Sequence, residues 1–582
     1  MRQVLVLFLI PLMVCSQYTE PLDDNELDDP DENRYLDELL TAIFQPHSIE
    51  TADSNTLFNQ GYSMEAIGEI LDWQGSGRDI QHLRKKIHGP DLVLLKSDLK
   101  QETQQTQIQL RQRIQYSPSL KGWRILNKGH LQNRWGSLAI LSEQDPGEQE
   151  LTDHTIVSLS SQSIPWVDHL IIGDYHVSWG GGLILNQQGS RLSLNPGSLL
   201  RPRQSTIRPH YSSREIDYFR GVASSFSIGD THGSAFISSR RVAGARHEDE
   251  FTDDGDGIHP VGRVLDYRQA NNVGLALERF ASGILIYVST VYNPYVNKDL
   301  GYELGLSSNV SSSQKIQIYT NSIDLNNHRM IGTWAYHSPT LQVSLQLRHY
   351  STDEIIALGA IPTLLGSSAS NEKGFSVRAQ LYPINKLRIR YAVDTSVPTA
   401  LYTAQDYRTI QQHKIQIIWK LTAGVFQLDL SKKNDLQNLV GDSWDGDLSN
   451  RRLTKGAVSI THLFPHRLQY RLNMKTAFQQ NESAFLVQQR LSQEKGHWKW
   501  GIGYVRFDIP EYAVRLSVYE TSVAESFGFY TAYDDGDRWF LYLKQRVDDW
   551  FQMELKVVRT RSFEIPLLLK QLALSLQMSI VL

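Results

Sequence analysis

Residues 571–582 read QLALSLQMSIVL. Leu572, Leu574, Leu576, Met578, Ile580 and Leu582 occupy every second position, with Gln571, Ala573, Ser575, Gln577 and Ser579 among the residues between them. Successive side chains of a strand point to opposite faces, so this stretch has one apolar and one polar face. RLQYRLNMK (467–475) keeps the same period, and so does LRIRYAV (387–393). A soluble antiparallel sheet alternates in the same way, so the period alone does not decide the fold. Length is more selective: the alternating runs last about 9 to 11 residues, enough to cross a bilayer at a tilt. This reading turns Leu387, Leu468, Phe551 and Leu576 toward lipid, and Arg388, Gln469, Glu554 and Gln577 toward a lumen.

The connections point the same way. Tyr382-Pro383-Ile384-Asn385-Lys386, Phe464-Pro465-His466-Arg467 and Asp548-Asp549-Trp550-Phe551 are short and carry aromatic residues, as the periplasmic rim of a barrel requires. Residues 244–263, 431–456 and 521–537 are long and rich in Asp, Gly and Ser, which suits the extracellular rim. A closed sheet also removes the open edge that lipid forbids. The expected fold is mainly β: a transmembrane antiparallel β-barrel over 107–582 with an even number of strands, about 14 to 18.

Upstream the pattern changes. Residues 1–16 combine Arg2, an apolar run and a small-residue end, the layout of a secretory signal peptide. Cys15 is the single cysteine, so a chain cleaved after Ser16 is excluded from disulfide, thiol and cysteine–metal chemistry. The formal charge is −5, or −6 without Arg2, too small to mark a global polyanion binder. Residues 17–40 hold ten acidic side chains against Arg34 alone and read as a solvated leader. Residues 41–100 read as a small all-α domain. Ser63 caps a helix with Ile67, Ile70 and Leu71 on one face, Ile80, Leu83 and Ile87 share a face in the next, and Gly89-Pro90 ends that helix. QETQQT (101–106) is a polar linker.

GDYHVSWGGGLIL (173–185) and YSSREIDYFRGVA (211–223), following two helix-turn-helix units and the DPGE turn at 145–148, resemble large helix-hairpin-helix-containing outer-membrane proteins of Bacteroidetes-like bacteria. In that family the N-terminal domain is similar to the competence DNA-binding protein. The resemblance therefore implies a phosphate-holding hairpin at Gly61, Tyr62 and Ser63, with a second copy at Gly89. In such a hairpin, backbone N–H groups at a helix N-terminus hold a phosphate. Here Ser63 replaces the second glycine, and Pro90 and Asp91 put a missing N–H and a carboxylate where the phosphate belongs. Residues 41–100 carry six Lys/Arg against eight Asp/Glu, whereas a phosphate binder is basic.

Nine arginines fall between residues 191 and 246. Among them Arg201, Arg203, Arg208, Arg214 and Arg220 form a candidate anion site, because guanidinium groups bind phosphate and carboxylate in bidentate fashion. The alternative is that they pair with Glu215, Asp217, Asp230 and lumen carboxylates to stiffen the barrel. Asp253, Asp254 and Asp256, and likewise Asp534, Asp535 and Asp537, lack the ligand spacing of a calcium loop and read as acidic loops. The glycines at 180–182 read as a bend or a close backbone approach at a barrel corner. No catalytic residue, metal or cofactor is expected. The expectation is an outer-membrane channel, assembly or surface component in contact with outer-membrane lipid. Its helical module would lie in the periplasm and dock a protein through residues 41–100. The alternatives are a DNA-binding protein of DNA uptake and a barrel-embedded enzyme.

Overall fold

The computed structural model describes most residues between 106 and 581, except in several connections between strands, and upstream only Glu69, Ile70, Trp73 and Leu83. Those four are helical, with Ile70 and Leu83 buried. The leader, the hairpins at 61–63 and 89–91 and the linker at 101–105 lie outside the described residues.

Twenty-four antiparallel strands form one sheet that closes on itself. The first, Gln107–Ser117, pairs with Gly122–Asn133 on one edge and with the last, Lys570–Val581, on the other, in the register Gln109↔Val581 to Tyr116↔Leu574. The expected 14 to 18 strands are therefore too few. Strand lengths run from 8 residues at His154–Ser161 to 17 at Thr231–His247. Where a strand overshoots the apolar belt both of its faces become polar, so alternation disappears from the sequence although pairing continues. Ser239 and Arg241, outward-facing beyond Ile237, show this. The acidic run at 534–537 fails as a loop marker for the same reason. Asp534, Asp535 and Asp537 lie in the strand Asp534–Asp548, where Asp535 pairs with Arg506 at 2.7 Å and Asp537 with Arg561 at 2.5 Å. Most of 431–456 is likewise strand, in Gly424–Asn438 and Leu448–Leu463.

The two faces separate as the alternation requires. Val157, Ile172, Val222, Ile237, Leu304 and Leu347 stand exposed on the outside, while Glu303, Gln317, Gln346, Arg348, Gln488 and Gln577 are buried toward the lumen. Arg348 is bound there by Glu372 and Asp394, both at 2.6 Å. An apolar exterior around a polar interior is the pattern of a membrane-spanning barrel. One rim carries only short connections, among them 385–386, 464–467 and 549–550, and both ends of the sheet lie there. Exposed Trp135, Trp419, Phe464, Trp498 and Trp550 ring this rim. By the rule of short periplasmic turns it is the periplasmic one. The opposite rim carries the long connections 181–218, 248–265, 351–371 and 510–533.

Candidate functional site: two segments folded into the lumen

The strand His169–Gly180 begins as wall and ends inside the barrel. Its lower part pairs with His154–Ser161 (Ser158↔Gly173 to Ser161↔Leu170) and with Phe219–Ile228 (His169↔Ser225 to Tyr175↔Phe219). Beyond Tyr175 the partner becomes Arg203–Pro209, an element outside the ring. The departure point is a pair of opposed glycines, Gly173 and Gly221. Gly173 has φ +104°, and a Cβ there would lie 2.0 Å from the carbonyl oxygen of Val157, so only glycine fits. Trp179 then packs beside Phe236, ring centroids 5.2 Å apart, in a buried layer with Tyr175, Phe219 and Tyr287.

At 180–182 the chain turns against the inner wall. Gly180 has φ +49°, and a Cβ on Gly181 would lie 2.6 Å from the Tyr319 ring. The turn exposes backbone donors to a dry surface, and Glu303 meets them. One of its oxygens accepts from Gly181 N–H at 2.6 Å, the other from Leu183 at 3.1 Å and Ile184 at 3.4 Å. Arg329 Nη1 donates to the Leu183 carbonyl at 3.2 Å. Leu185 and Asn186 add a short parallel pairing with Leu358–Gly359. Buried backbone groups need partners, and here side chains of the wall supply them. The glycines thus make the sharp bend and close approach that their sequence suggests.

A second segment folds in from the same rim. Leu516–Tyr519 and Phe529–Ala532 form a hairpin within connection 510–533. Val514, Leu516, Val518 and Ala532 pack on lumen-facing Ala477, Leu486, Val505 and Phe507. The carbonyls of Arg515, Ser517 and Tyr519 accept in turn from Lys455 at 3.1 Å, from Lys475, and from Gln488 at 2.9 Å. Glu520 at the end of the strand is buried between Arg538 at 2.6 Å and Lys556 at 2.9 Å. Burial alone would raise its pKa, but the two cations hold the carboxyl below the usual glutamate range. The Arg538 guanidinium also lies 3.8 Å above the Tyr530 ring.

Most of the residues singled out in the sequence fall outside the described residues. Arg220 faces outward and is bound to Asp174, Nε–Oδ1 2.7 Å and Nη2–Oδ2 3.0 Å. Arg203 and Arg208 lie in the strand beside 175–180, while Arg201, Arg214, Gly61, Tyr62, Ser63 and Gly89 fall outside the described residues. Arg240 stacks on Tyr218 at 3.9 Å. At the periplasmic rim Asp168, Ser227 and His232 meet, but the serine sits between the other two, 2.7 Å from His232 Nδ1 and hydrogen-bonded to Asp168. His232 is 4.0 Å from the carboxylate, whereas a hydrolytic triad places histidine in the middle. Among the described residues no group of His, Cys, Asp and Glu is arranged to hold a metal ion. Sequence reasoning missed Glu303, Asp174 and Glu520, each of whose contacts lies far away in the chain or reads as an ordinary lumen charge.

No protein-family model matches the chain, and no curated protein matches it either. Among solved structures it is similar to the siderophore receptor PirA from Pseudomonas aeruginosa, with 8% identity over 82% of this chain and 81% of that one and a TM-score of 0.42. It is also similar to the copper transporter OprC, with 9% identity over 82% and 81% and a TM-score of 0.43. The ferric citrate transporter FecA gives 10% identity over 82% and 79% and a TM-score of 0.40. Likeness at this level carries no information about substrate.

Proposed function

We propose that this chain is an outer-membrane passage protein whose lumen is narrowed from the extracellular side by the two infolded segments, with residues 41–100 as a periplasmic docking module. The observation that supports it most is the anchoring of both segments by wall side chains inside a polar 24-strand lumen. A barrel that served only as a membrane anchor would gain nothing from lysines, a glutamine and a glutamate placed to receive backbone groups of its own loops. Barrels of this strand number otherwise enclose a wide aqueous space. The solutes that fit are polar, since the wall beyond the two segments is lined by Gln, Arg and Glu. The acidic balance of 41–100 favours a protein partner for that module over DNA.

Conductance in planar bilayers tests the reading. The full chain should give small or rare openings, and replacement of residues 512–531 by a short Gly-Ser linker should raise conductance several-fold. Equal conductance of the two proteins, both shown to be folded by heat-modifiable mobility, rejects the reading.

A further inference from the structure

The anchors of the second segment descend the wall in regular steps. Lys455, Lys475 and Gln488 donate to the carbonyls of Arg515, Ser517 and Tyr519, and Arg490 Nη1 donates to the Thr521 hydroxyl at 3.4 Å. In the ladders these anchors stand level with Ala477, Lys475, Asn473 and Arg471, each step nearer the periplasmic turn at 464–467. The lowest step sets two arginines directly opposite each other, Arg471 of Leu468–Gln479 and Arg490 of Glu482–Lys495, both on the lumen face. Residues so opposed have Cβ atoms about 4.5 to 5.5 Å apart, and like charges there are destabilising.

Other lumen arginines are neutralised by acids. Arg348 lies between Glu372 and Asp394, Arg408 is held by both oxygens of Asp435 at 3.0 and 2.8 Å, and Arg538 is paired with Glu520. Among the described residues no acid pairs with Arg471 or Arg490. Asp429, two strands from Arg471, accepts instead from Gln416 at 2.7 Å and Gln427 at 2.6 Å. Arg471 Nε donates to Ser459 Oγ and Asn473 Oδ1, both at 3.2 Å, which leaves its two Nη groups to be met. Arg490 Nε is buried and has no acceptor among the described residues. Half-buried guanidinium groups with unmet donors carry a cost that an anion between them removes. The Thr521 hydroxyl, while it accepts from Arg490, can donate its own proton to the same anion.

We propose that Arg471, Arg490 and Thr521 form an anion site at the inner end of the second segment, which takes an oxyanion of the passing solute, a carboxylate or a phosphate. Guanidinium groups bind such oxyanions through paired N–H donors, and two of them together favour a doubly charged group. The inference rests on the passage reading for its solute and adds the sign of that solute's charge. The two fail separately: conductance reports the passage, and anion protection of the two arginines reports the site whether or not the chain conducts.

The test treats the full chain in detergent micelles with methylglyoxal, a small arginine reagent, and reads each arginine by peptide mass spectrometry. Inorganic phosphate or succinate should slow modification of Arg471 and Arg490 several-fold. Arg546, an exposed lumen arginine near the same rim, should react as before, and neutral succinamide should protect none of the three. Protection by only one of the two anions supports the site and names the oxyanion as phosphate or carboxylate. In Arg471→Gln, shown to be folded by heat-modifiable mobility, the same anion should protect Arg490 several-fold less. The comparison with Arg546 in the native chain decides the matter even where that variant does not fold. Failure of the reagent to reach Arg471 and Arg490 without anion, or protection of them no greater than that of Arg546, overturns the site.

Discussion

The two infolded segments solve one problem with opposite chemistry. Around 181–184 the backbone offers N–H groups, and the wall answers with a single carboxylate, Glu303. In the 510–533 hairpin the backbone offers carbonyls, and the wall answers with Lys455, Lys475 and Gln488. The first segment is covered by aromatic rings and carries three consecutive glycines; the second ends in a buried charge cluster around Glu520. A lumen wall can be apolar where a loop packs and polar where a solute passes, but every backbone group turned to it must be met. What distinguishes the segments is how their anchors can be undone. Loss of Glu303 leaves neutral donors without a partner, whereas loss of Glu520 leaves two buried cations side by side.

That difference orders the expected effects. Glu520→Gln should cost about 3 to 5 kcal/mol, the usual penalty for breaking one side of a buried pair. The hairpin should then become sensitive to protease added outside the cell, while the first segment stays protected. Unchanged protection of 510–533 would show that its apolar packing suffices without the charges.

A wall substitution separates strap from barrel. Leu472 alternates with lumen-facing Arg471 and Asn473 and stands opposite outward Ile460. Leu472→Arg should cost roughly 2 to 4 kcal/mol if it lies near the midplane, with no change in the protection of either segment. Thermal unfolding in detergent against unfolding in vesicles reads this, and a loss confined to detergent would move Leu472 off the lipid face.

Glu303→Gln retains one acceptor oxygen but turns an NH2 toward a backbone donor. The expected cost is about 1 to 3 kcal/mol, the value of leaving a buried donor unmet. Protease should then reach 181–186, and 510–533 should remain closed.

Much of this was legible in the sequence, and the rest fails for identifiable reasons. The strands Leu387–Val397, Leu468–Gln479 and Lys570–Val581 have the faces that their alternation dictates. The aromatic turns at 382–386, 464–467 and 548–551 share the rim that their shortness implies. Strand number was not legible, because long strands such as Thr231–His247 leave the belt and lose their alternation. The glycines at 180–182 announced a bend but not its destination, since Glu303 lies 122 residues from Gly181. Asp174 and Arg220, 46 residues apart, meet as opposite residues of the pairing between His169–Gly180 and Phe219–Ile228, which no local pattern announces.

The smallest expected effect is a pH response confined to one segment. Arg538 and Lys556 hold Glu520 below the usual glutamate range, so its folded pKa lies under the unfolded value of about 4.3. A group depressed in this way stabilises the closed hairpin at every pH above the unfolded value and loses that contribution as pH falls through the folded one. Conductance should therefore be flat from about pH 8 down to about pH 5 and rise only below about pH 4. Glu520→Gln should remove the dependence and give the acid-level conductance at neutral pH, because glutamine cannot regain the charge. A rise that begins near pH 6 and survives in Glu520→Gln would assign the response to a histidine instead, and would make the first segment, with His176 and His210 in contact at 2.5 Å, the acid-sensitive one.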